Sequence, residues 1–596
     1  MADSPLKHAT GPLKLVIKSG GSEVDQKLCR VVSVAVDRKI NRIPWARIVL
    51  EDGDMAEQKF EAGTGESFKP GAEIEIEAGY AQTSTCIFKG IVVTHGVNIH
   101  GGQAHLEVEC RDPAVKLTSL RKNTNHTDKS DSDIIKALIG KVGGLSADVG
   151  ATQPTHPRMV QFACTDWDFI LTRADANGLL VTVDEGKVTV KPPKTSGTAK
   201  LKVTWGEDLV DFRAEMDART QVDAARSVGW DPAKLAIAEA DGSSPSLQKQ
   251  GNVTTADLSA VVGADKAVLQ SAVPMEADAL KAWADAALLK SGLARIRGTL
   301  RFQGSAKVKP GDLMEVAGVG KRFEGTLFLS TVHHDISMGN WYTDVEFGLA
   351  PHWFSQREDI SLPPASGQLP GVDGLQVGVV KKLDGDPGGQ GRIQITLPVM
   401  ENQEQGLWAR LATLYATNES GSFFIPEVGD EVVVGFFNDD PRHPVVLGSL
   451  HSSGRKAPHP LTAENHTKAI VSREKLKITF TEDKKIMVLE TPGANKITIS
   501  DEAKGIKLED QNGNTMVMDD KGIALDSPKD ISIKAKGKIT LDATGEMSLT
   551  SKADVKVKGL NVNATADVGL VAKGSASAEF SASGQTTVKG AMVMIN

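Results

Sequence analysis

From about Ala469 to Asn596 one small motif repeats: two apolar residues with a single polar residue between them. The pairs are Ile497/Ile499, Ile506/Leu508, Met516/Met518, Ile523/Leu525, Ile531/Ile533, Ile539/Leu541, Met547/Leu549 and Val555/Val557. The last four steps are eight residues each, and Gly537 and Gly545 keep that spacing. Later pairs (Leu560/Val562, Val568/Leu570, Ala578/Phe580 and Met592/Met594) continue at drifting intervals. Residues two apart on a strand share a face, so each octad is one short strand and a turn with its apolar pair on one side. A three-sided β-helix made by one chain needs roughly 20 residues per coil. An octad supplies only one side. Three chains winding together close each layer, bury the pairs on a common axis and leave no open sheet edge. A lone chain instead exposes a long apolar stripe. The repeat therefore predicts an intertwined trimeric β-helix over 465–596, with Ile531, Ile533, Ile539, Leu541, Met547, Leu549, Val555 and Val557 in the trimer core. An antiparallel meander is the alternative; it favours Asn-Gly or Asp-Gly joints, whereas these joints are rich in Lys, Ala and Ser.

The rest of the chain reads as further β-structure. A length of 596 residues predicts about three to five domains, and the expected class is mainly β. Residues 1–365 hold alternating segments such as Leu13 to Ile17, Val31 to Val36, Ile74 to Ile76 and His105 to Val108, which predict half-buried strands. Helical stretches interrupt them. Ser130 and Ser132 are candidate caps for a helix burying Ile134, Ile135, Leu138 and Ile139. Asp166 is the expected cap of a helix over Trp167 to Ala176, closed by Asn177-Gly178. An alanine-rich helix, Ala277 to Leu289, is expected to stop before Gly292. A partial repeat lies here too. Lys69-Pro70-Gly71, Phe88-Lys89-Gly90 and Thr94-His95 are echoed by Lys309-Pro310-Gly311, Phe323-Glu324-Gly325 and Thr331-Val332-His333. It predicts a duplicated β-barrel hub with inserted helices, the other reading being chance likeness of Pro-Gly turns. Ser361 to Gly374 is rich in Pro, Gly and Ser and predicts a linker, set at 366–374. Five or six short strands between Leu375 and Leu450 predict an OB-fold barrel over 375–455.

The search for chemistry returns little. There is no HExxH, GxSxG or helix-opening GxGxxG sequence, so no catalytic residue is assigned. Asp384/Asp386 and Asp439/Asp440 read as solvated turn residues. Adjacent His333 and His334 on a strand point to opposite faces, so no metal site and no cofactor are expected. Cys29, Cys86, Cys110 and Cys164 have no ligand spacing and read as reduced thiols in barrel cores. A net charge of −8 and an acidic second region argue against nucleic acid as a partner. The N-terminus lacks the apolar core of a secretion signal, and no stretch approaches the about 18 apolar residues of a membrane span. Synthesis in the cytoplasm without a signal peptide is therefore expected.

The second region also carries a family resemblance. Gly378-Val379-Val380, Asp386-Pro387, Gly391-Arg392-Ile393, Trp408-Ala409-Arg410, Phe424-Ile425-Pro426-Glu427-Val428-Gly429-Asp430-Glu431-Val432 and Pro444-Val445-Val446-Leu447-Gly448 resemble the OB domain of VgrG-type spikes. Those spikes belong to contractile phage baseplates, type VI secretion systems and extracellular phage-tail-like particles. The motif residues are Trp408, Arg410, Pro426, Gly429, Asp430, Glu431 and Gly448. Trp167 to Leu171 and Ala176 to Leu180 are similar to the hub of the same family, and the octad tail to its spike. The resemblance implies a homotrimer docked on a hexameric inner tube, contacts with baseplate proteins and transient contact with a target membrane. It also implies a PAAR-like tip protein seated on Met592, Met594, Ile595 and Asn596. Three duplicated hubs would form a ring of six barrels matching the tube. The short stretch after Leu450 and the end at Asn596 leave no expected room for a lysozyme or toxin domain. A tail fibre or adhesin is the alternative class, and a cell-wall hydrolase a weaker one.

Overall fold

The computed structural model describes residues 2–25, 30–401 and 404–595, in two compact units, 1–450 and 451–596. In the first, six strands of an open sheet surround one core and are called the first barrel: β1 (Leu13–Ser19), β2 (Arg30–Lys39), β3 (Trp45–Glu51), β4 (Glu73–Tyr80), β5 (Thr83–His100) and β6 (Gln103–Arg111). Alternate side chains such as Val34, Val36, Ile48, Leu50, Ile74, Ile76 and Leu106 fill its core, as period-two patterning requires.

After β6 the chain builds β7 (Arg121–Ser130), α1 (Asp131–Gly140), β8 (Ser146–Val149), β9 (Thr155–Thr165), α2 (Asp166–Ala176), β10 (Leu180–Asp184) and β11 (Lys187–Lys191). β7 and β9 pair as a ribbon, and β10, β11 and β8 form a small sheet. Both helices pack into one apolar core with that sheet. Ser130 caps α1 by accepting from the Asp133 amide, as the sequence implied. Thr165, not Asp166, caps α2; its hydroxyl accepts from the Asp168 amide at 3.0 Å. Asp166 lies one residue inside the helix, buried, accepting from Gln161 at 3.0 Å and paired with Lys122.

A second open, barrel-like lobe follows, called the second barrel: β12 (Lys202–Thr204), β13 (Leu209–Met216), β17 (Ile296–Gln303), β18 (Leu313–Ala317), β19 (Gly325–Ser337) and β20 (Asn340–Phe347). Between β13 and β17 sits an insertion made of β14 (Ala224–Asp231), β15 (Ala236–Asp241), α3 (Thr255–Val262), β16 (Lys266–Ser271) and α4 (Ala277–Ala294). α4 runs through Gly292 instead of stopping before it. That glycine is there for space: a Cβ on it would lie 2.3 Å from Leu247 Cδ1. Gly292→Ala is therefore expected to lower stability by about 1–3 kcal/mol through overpacking, despite alanine's better helix propensity. A thermal melt of the full chain checks the sign.

The duplication is present strand by strand. The first barrel has the order β2-β3-β6-β5-β4-β1 and the second β13-β17-β20-β19-β18-β12. The Pro-Gly turns are built alike: the Gly71 amide donates to Val92 O at 2.9 Å and the Gly311 amide to Leu329 O at 2.8 Å. Both glycines have positive φ, +94° and +88°, which only glycine adopts at little cost. A bulge follows at matching places, between Val92 and Thr94 and between Leu329 and Thr331. Another interrupts the first two strands, between Val31 and Ser33 and between Leu209 and Asp211. The barrels are joined where β19 pairs with β2, so they share one 13-stranded sheet.

Next comes a closed five-stranded barrel of β21 (Gln376–Lys382), β22 (Ile393–Thr396), β23 (Leu407–Leu411), β24 (Glu431–Phe436) and β25 (Pro444–Ser449). The segment before it, expected to be a linker, lies docked. Ala365 is buried, the Val372 amide donates to Asp439 O at 2.8 Å, and Asn438 donates to Ser366 Oγ at 3.1 Å. Proline and glycine supply the tight turns needed to lie against the barrel rather than mobility.

In the second unit, seven strands form one antiparallel sheet: β26 (Thr467–Val471), β27 (Lys477–Thr481), β28 (Ile486–Glu490), β29 (Lys496–Ser500), β30 (Gly505–Glu509), β31 (Thr515–Asp519) and β32 (Gly522–Asp526). Over 467–526 the chain therefore makes the meander, not the first turns of an octad helix. Its turns use left-handed residues at Lys475, Lys485, Ala494, Lys504 and Gly513, the arrangement of hairpins that follow a type I turn with one αL residue. From 527 to 595 a single chain contains no strand.

Candidate assembly surfaces

The meander has one apolar face. Cross-strand partners on it run Ile470–Ile478, Ile478–Leu489, Leu489–Ile497, Ile497–Leu508, Leu508–Met516 and Met516–Leu525. Lys477, Thr479, Thr498 and Lys507 alternate onto the other face. Ile470, Ile497, Ile523 and Leu525 are exposed in the isolated chain. The pairs named from the sequence begin at Ile497; the earlier part of the face, from Ile470 through Phe480 and Leu489, shows the same alternation.

The octad residues continue uncovered. Ile531, Ile533, Ile539, Leu541, Met547, Leu549, Val555 and Val557 are each at least half exposed, as are Met592, Met594 and Ile595. Asn596 lies outside the described residues. Within one chain these side chains are brought to no common core.

The OB motif residues build turns and strand pairing. The Gly429 amide donates to Val380 O at 2.7 Å and Val380 N to Asp430 O at 2.9 Å. Asp430 accepts from the Glu427 amide at 2.8 Å, fixing the turn after Pro426. Glu431 starts β24 opposite Val379, and Gly448 faces Val433 beside a bulge. Trp408 is half-buried on β23, while Arg410 is exposed and lies 5.8 Å from the Phe437 ring centre. Asp386 is not a solvated turn residue: it accepts from the Gly388, Gln390 and Arg392 amides and from the Arg392 guanidinium at 2.6 Å. Those bonds, Arg392 foremost, hold its carboxyl well below the usual range. Asp440 is likewise buried, and Arg442 lowers it to about 2.

In the hub, titratable groups serve packing. His334 is buried against Thr343 Oγ1 at 3.1 Å, and burial holds its pKa down to about 3. His333 faces the other way, toward Asp37 at 3.5 Å, which raises its pKa. Asp131 joins three elements. It accepts both guanidinium bonds of Arg173 at 2.7 and 2.9 Å and one from Asn177 at 2.8 Å, and His156 approaches to 3.2 Å. Cys110 is in the first barrel core; Cys86 is half-buried, and Cys164 sits on β9 outside either barrel. Cys29 lies outside the described residues. A cavity of about 640 Å³ beside β1 is lined by Leu13, Leu15, Ile17 and Phe68 with Lys14 and Arg30, and no described carboxylate, histidine or cysteine lines it. Among the described residues no group of three or more His, Cys, Asp or Glu could hold a metal ion, and no helix is long and apolar enough to cross a membrane.

Three family matches follow the same divisions. The Alg8 N-terminal domain matches residues 9–338, the type VI secretion system/phage-baseplate injector OB domain 376–451, and the phage baseplate V C-terminal trimerisation domain 486–596. The spike protein VgrG3 of a Vibrio cholerae type VI secretion system is 31% identical over 112 residues, which are 18% of this chain and 11% of that protein. VgrG1b of Pseudomonas aeruginosa is 24% identical over 233 residues, 37% of this chain and 31% of that protein. The chain thus spans less than a third of the length of either relative. A 43 kDa prophage tail protein from Shewanella oneidensis is 12% identical, with a TM-score of 0.43 over 57% of this chain and 98% of that one. With an injector OB domain and a phage-baseplate trimerisation domain after a doubled N-terminal region, the chain is similar to spike proteins of contractile injection systems. The chain belongs to the VgrG-type spike family, with an N-terminal region of the Alg8 type.

Proposed function

We propose that the protein works as a homotrimer at the centre of a contractile injection particle. Its hub adapts a hexameric inner tube to threefold symmetry, and its tail is the rod driven through the target envelope. The observation that carries this reading is the uncovered apolar face of the tail, from Ile470 through the octad pairs, in a chain whose hub is already doubled. Three copies of the meander sheet with apolar faces inward form a three-sided prism, which sheet-on-sheet packing at about 10 Å accommodates. Beyond Asp526 the octads lack partners in their own chain, and strands of the other two copies supply them. The load is carried by buried apolar pairs and backbone hydrogen bonds, so the role is mechanical rather than enzymatic. Met592, Met594, Ile595 and Asn596 are the proposed seat of a PAAR-like tip protein, and the hub is the proposed contact with baseplate proteins.

Light scattering on the purified full chain tests this. A mass three times the 63.3 kDa of one chain is expected, with threefold averages in electron micrographs. A soluble, folded monomer would overturn the reading.

A further inference from the structure

The junction between the two barrels is a template for a contact the single chain cannot make. Within the chain, β19 of the second barrel pairs antiparallel with β2 of the first: Asp335 stands opposite Ala35 and Ile336 opposite Val34. The repeat assigns each partner an equivalent. Thr94 faces Glu109 as Thr331 faces Glu346, so Asn98 on β5 corresponds to Asp335 and Ile99 to Ile336. Arg47 lies between Ala35 and Glu109 as Thr299 lies between Arg213 and Glu346. Arg213 on β13 therefore corresponds to Ala35, and Phe212 to Val34.

These equivalent strands are unpaired on the side in question. Among the described residues β13 ends the 13-stranded sheet and bonds only β17. The outer half of β5, from Thr94 to His100, bonds β6 on one side and no described strand on the other. Burial reports the same vacancy: Ile336, covered by β2, is 3% exposed, whereas its equivalent Ile99 is 64% exposed. An apolar strand with an open edge invites pairing.

We propose that β5 of one copy pairs with β13 of the next in the register of the internal junction. Asn98 then stands opposite Arg213, Ile99 opposite Phe212, Val97 opposite Ala214 and His100 opposite Asp211. The side chains suit this. The apolar pairs share one face, and His100 meets a carboxylate. The pairing alternates with the internal junction around the ring and closes the sheet, so no edge remains at either place. This inference rests on the trimeric reading and adds its register.

The test is a cysteine pair in the full chain, Asn98→Cys with Arg213→Cys. Residues directly opposite in an antiparallel pair have Cα atoms about 4.5–5.5 Å apart, within disulfide range. Mild oxidation is expected to convert most of the double variant into covalent trimers that reduction returns to single chains, while each single variant stays uncrosslinked. Ala35→Cys with Asp335→Cys is the internal control, expected to form its disulfide without change of mass. Light scattering of the reduced protein separates the two failures. A trimer that gives no cross-link overturns this pairing and leaves the trimer standing; a monomer overturns both.

Discussion

Replacing Ile539 and Leu541 together by Asp is expected to abolish the trimer. Both side chains are more than half exposed in one chain and have no other place to be buried. In three wound chains the change puts six carboxylates along one apolar axis. Each buried, unpaired charge costs several kcal/mol, more than neighbouring octads can offset. Light scattering should report single chains or heterogeneous aggregates in place of one species of three times 63.3 kDa. Thr540→Asp is the control, because Thr540 alternates to the opposite side of the strand, and it should leave the mass unchanged. A double variant that stays trimeric with an unaltered melting temperature would falsify the octad core.

Asp131→Ala is expected to be the most damaging single change in the hub. The carboxylate is buried at the start of α1 and ties it to α2 through Arg173 and Asn177 and to β9 through His156. Its removal strands the Arg173 guanidinium in a largely buried position, a loss of about 3–5 kcal/mol. Hydrogen exchange of the α1 and α2 amides should accelerate by about a hundred-fold or more. Glu57→Ala, which breaks an exposed pair with Lys59, should have no measurable effect. The same carboxylate sets a pH response. Burial alone would raise its pKa, but Arg173, Asn177 and His156 together lower it. A carboxylate with a depressed folded pKa contributes stability that is complete above its ordinary range, near pH 4, and is lost as pH falls through the folded value. Protection of α1 and α2 should therefore hold at pH 5 to 7 and fall below about pH 4 in the native chain, and be flat over that acidic range in Asp131→Ala.

What could be read in advance followed the range of the signal. Period-two alternation found the strands of the hub and the OB barrel, because which face a side chain occupies is decided by its immediate neighbours. The Lys-Pro-Gly turns found the duplication because each must hold a glycine at positive φ. The meander over 467–526, the alternative reading of the repeat, is disfavoured by the sequence for the converse reason. At four of its turns Lys475, Lys485, Ala494 and Lys504 take the left-handed position, where glycine or asparagine usually announces such a turn. Gly292 was read as a helix stop when the constraint was Leu247, 45 positions away in the sequence, pressing on the helix. Asp386 and Asp440 looked like solvated turn residues because their arginine partners and buried settings exist only once the turns close.

The candidate surfaces divide the same way. The sequence by itself determined that a stripe of apolar pairs runs the length of the tail and that the hub is doubled, since periodicity and repeated turns are local facts. Only the tertiary structure decided where that stripe belongs to a folded sheet of its own chain and where it has no partner, and which strand edges of the doubled hub are closed and which are open. The reason is that register and edge pairing are contacts between residues far apart in the chain. At the junction Ile336 is covered by β2 and Ile99, its equivalent, is bare, although the two isoleucines occupy the same place in the repeat.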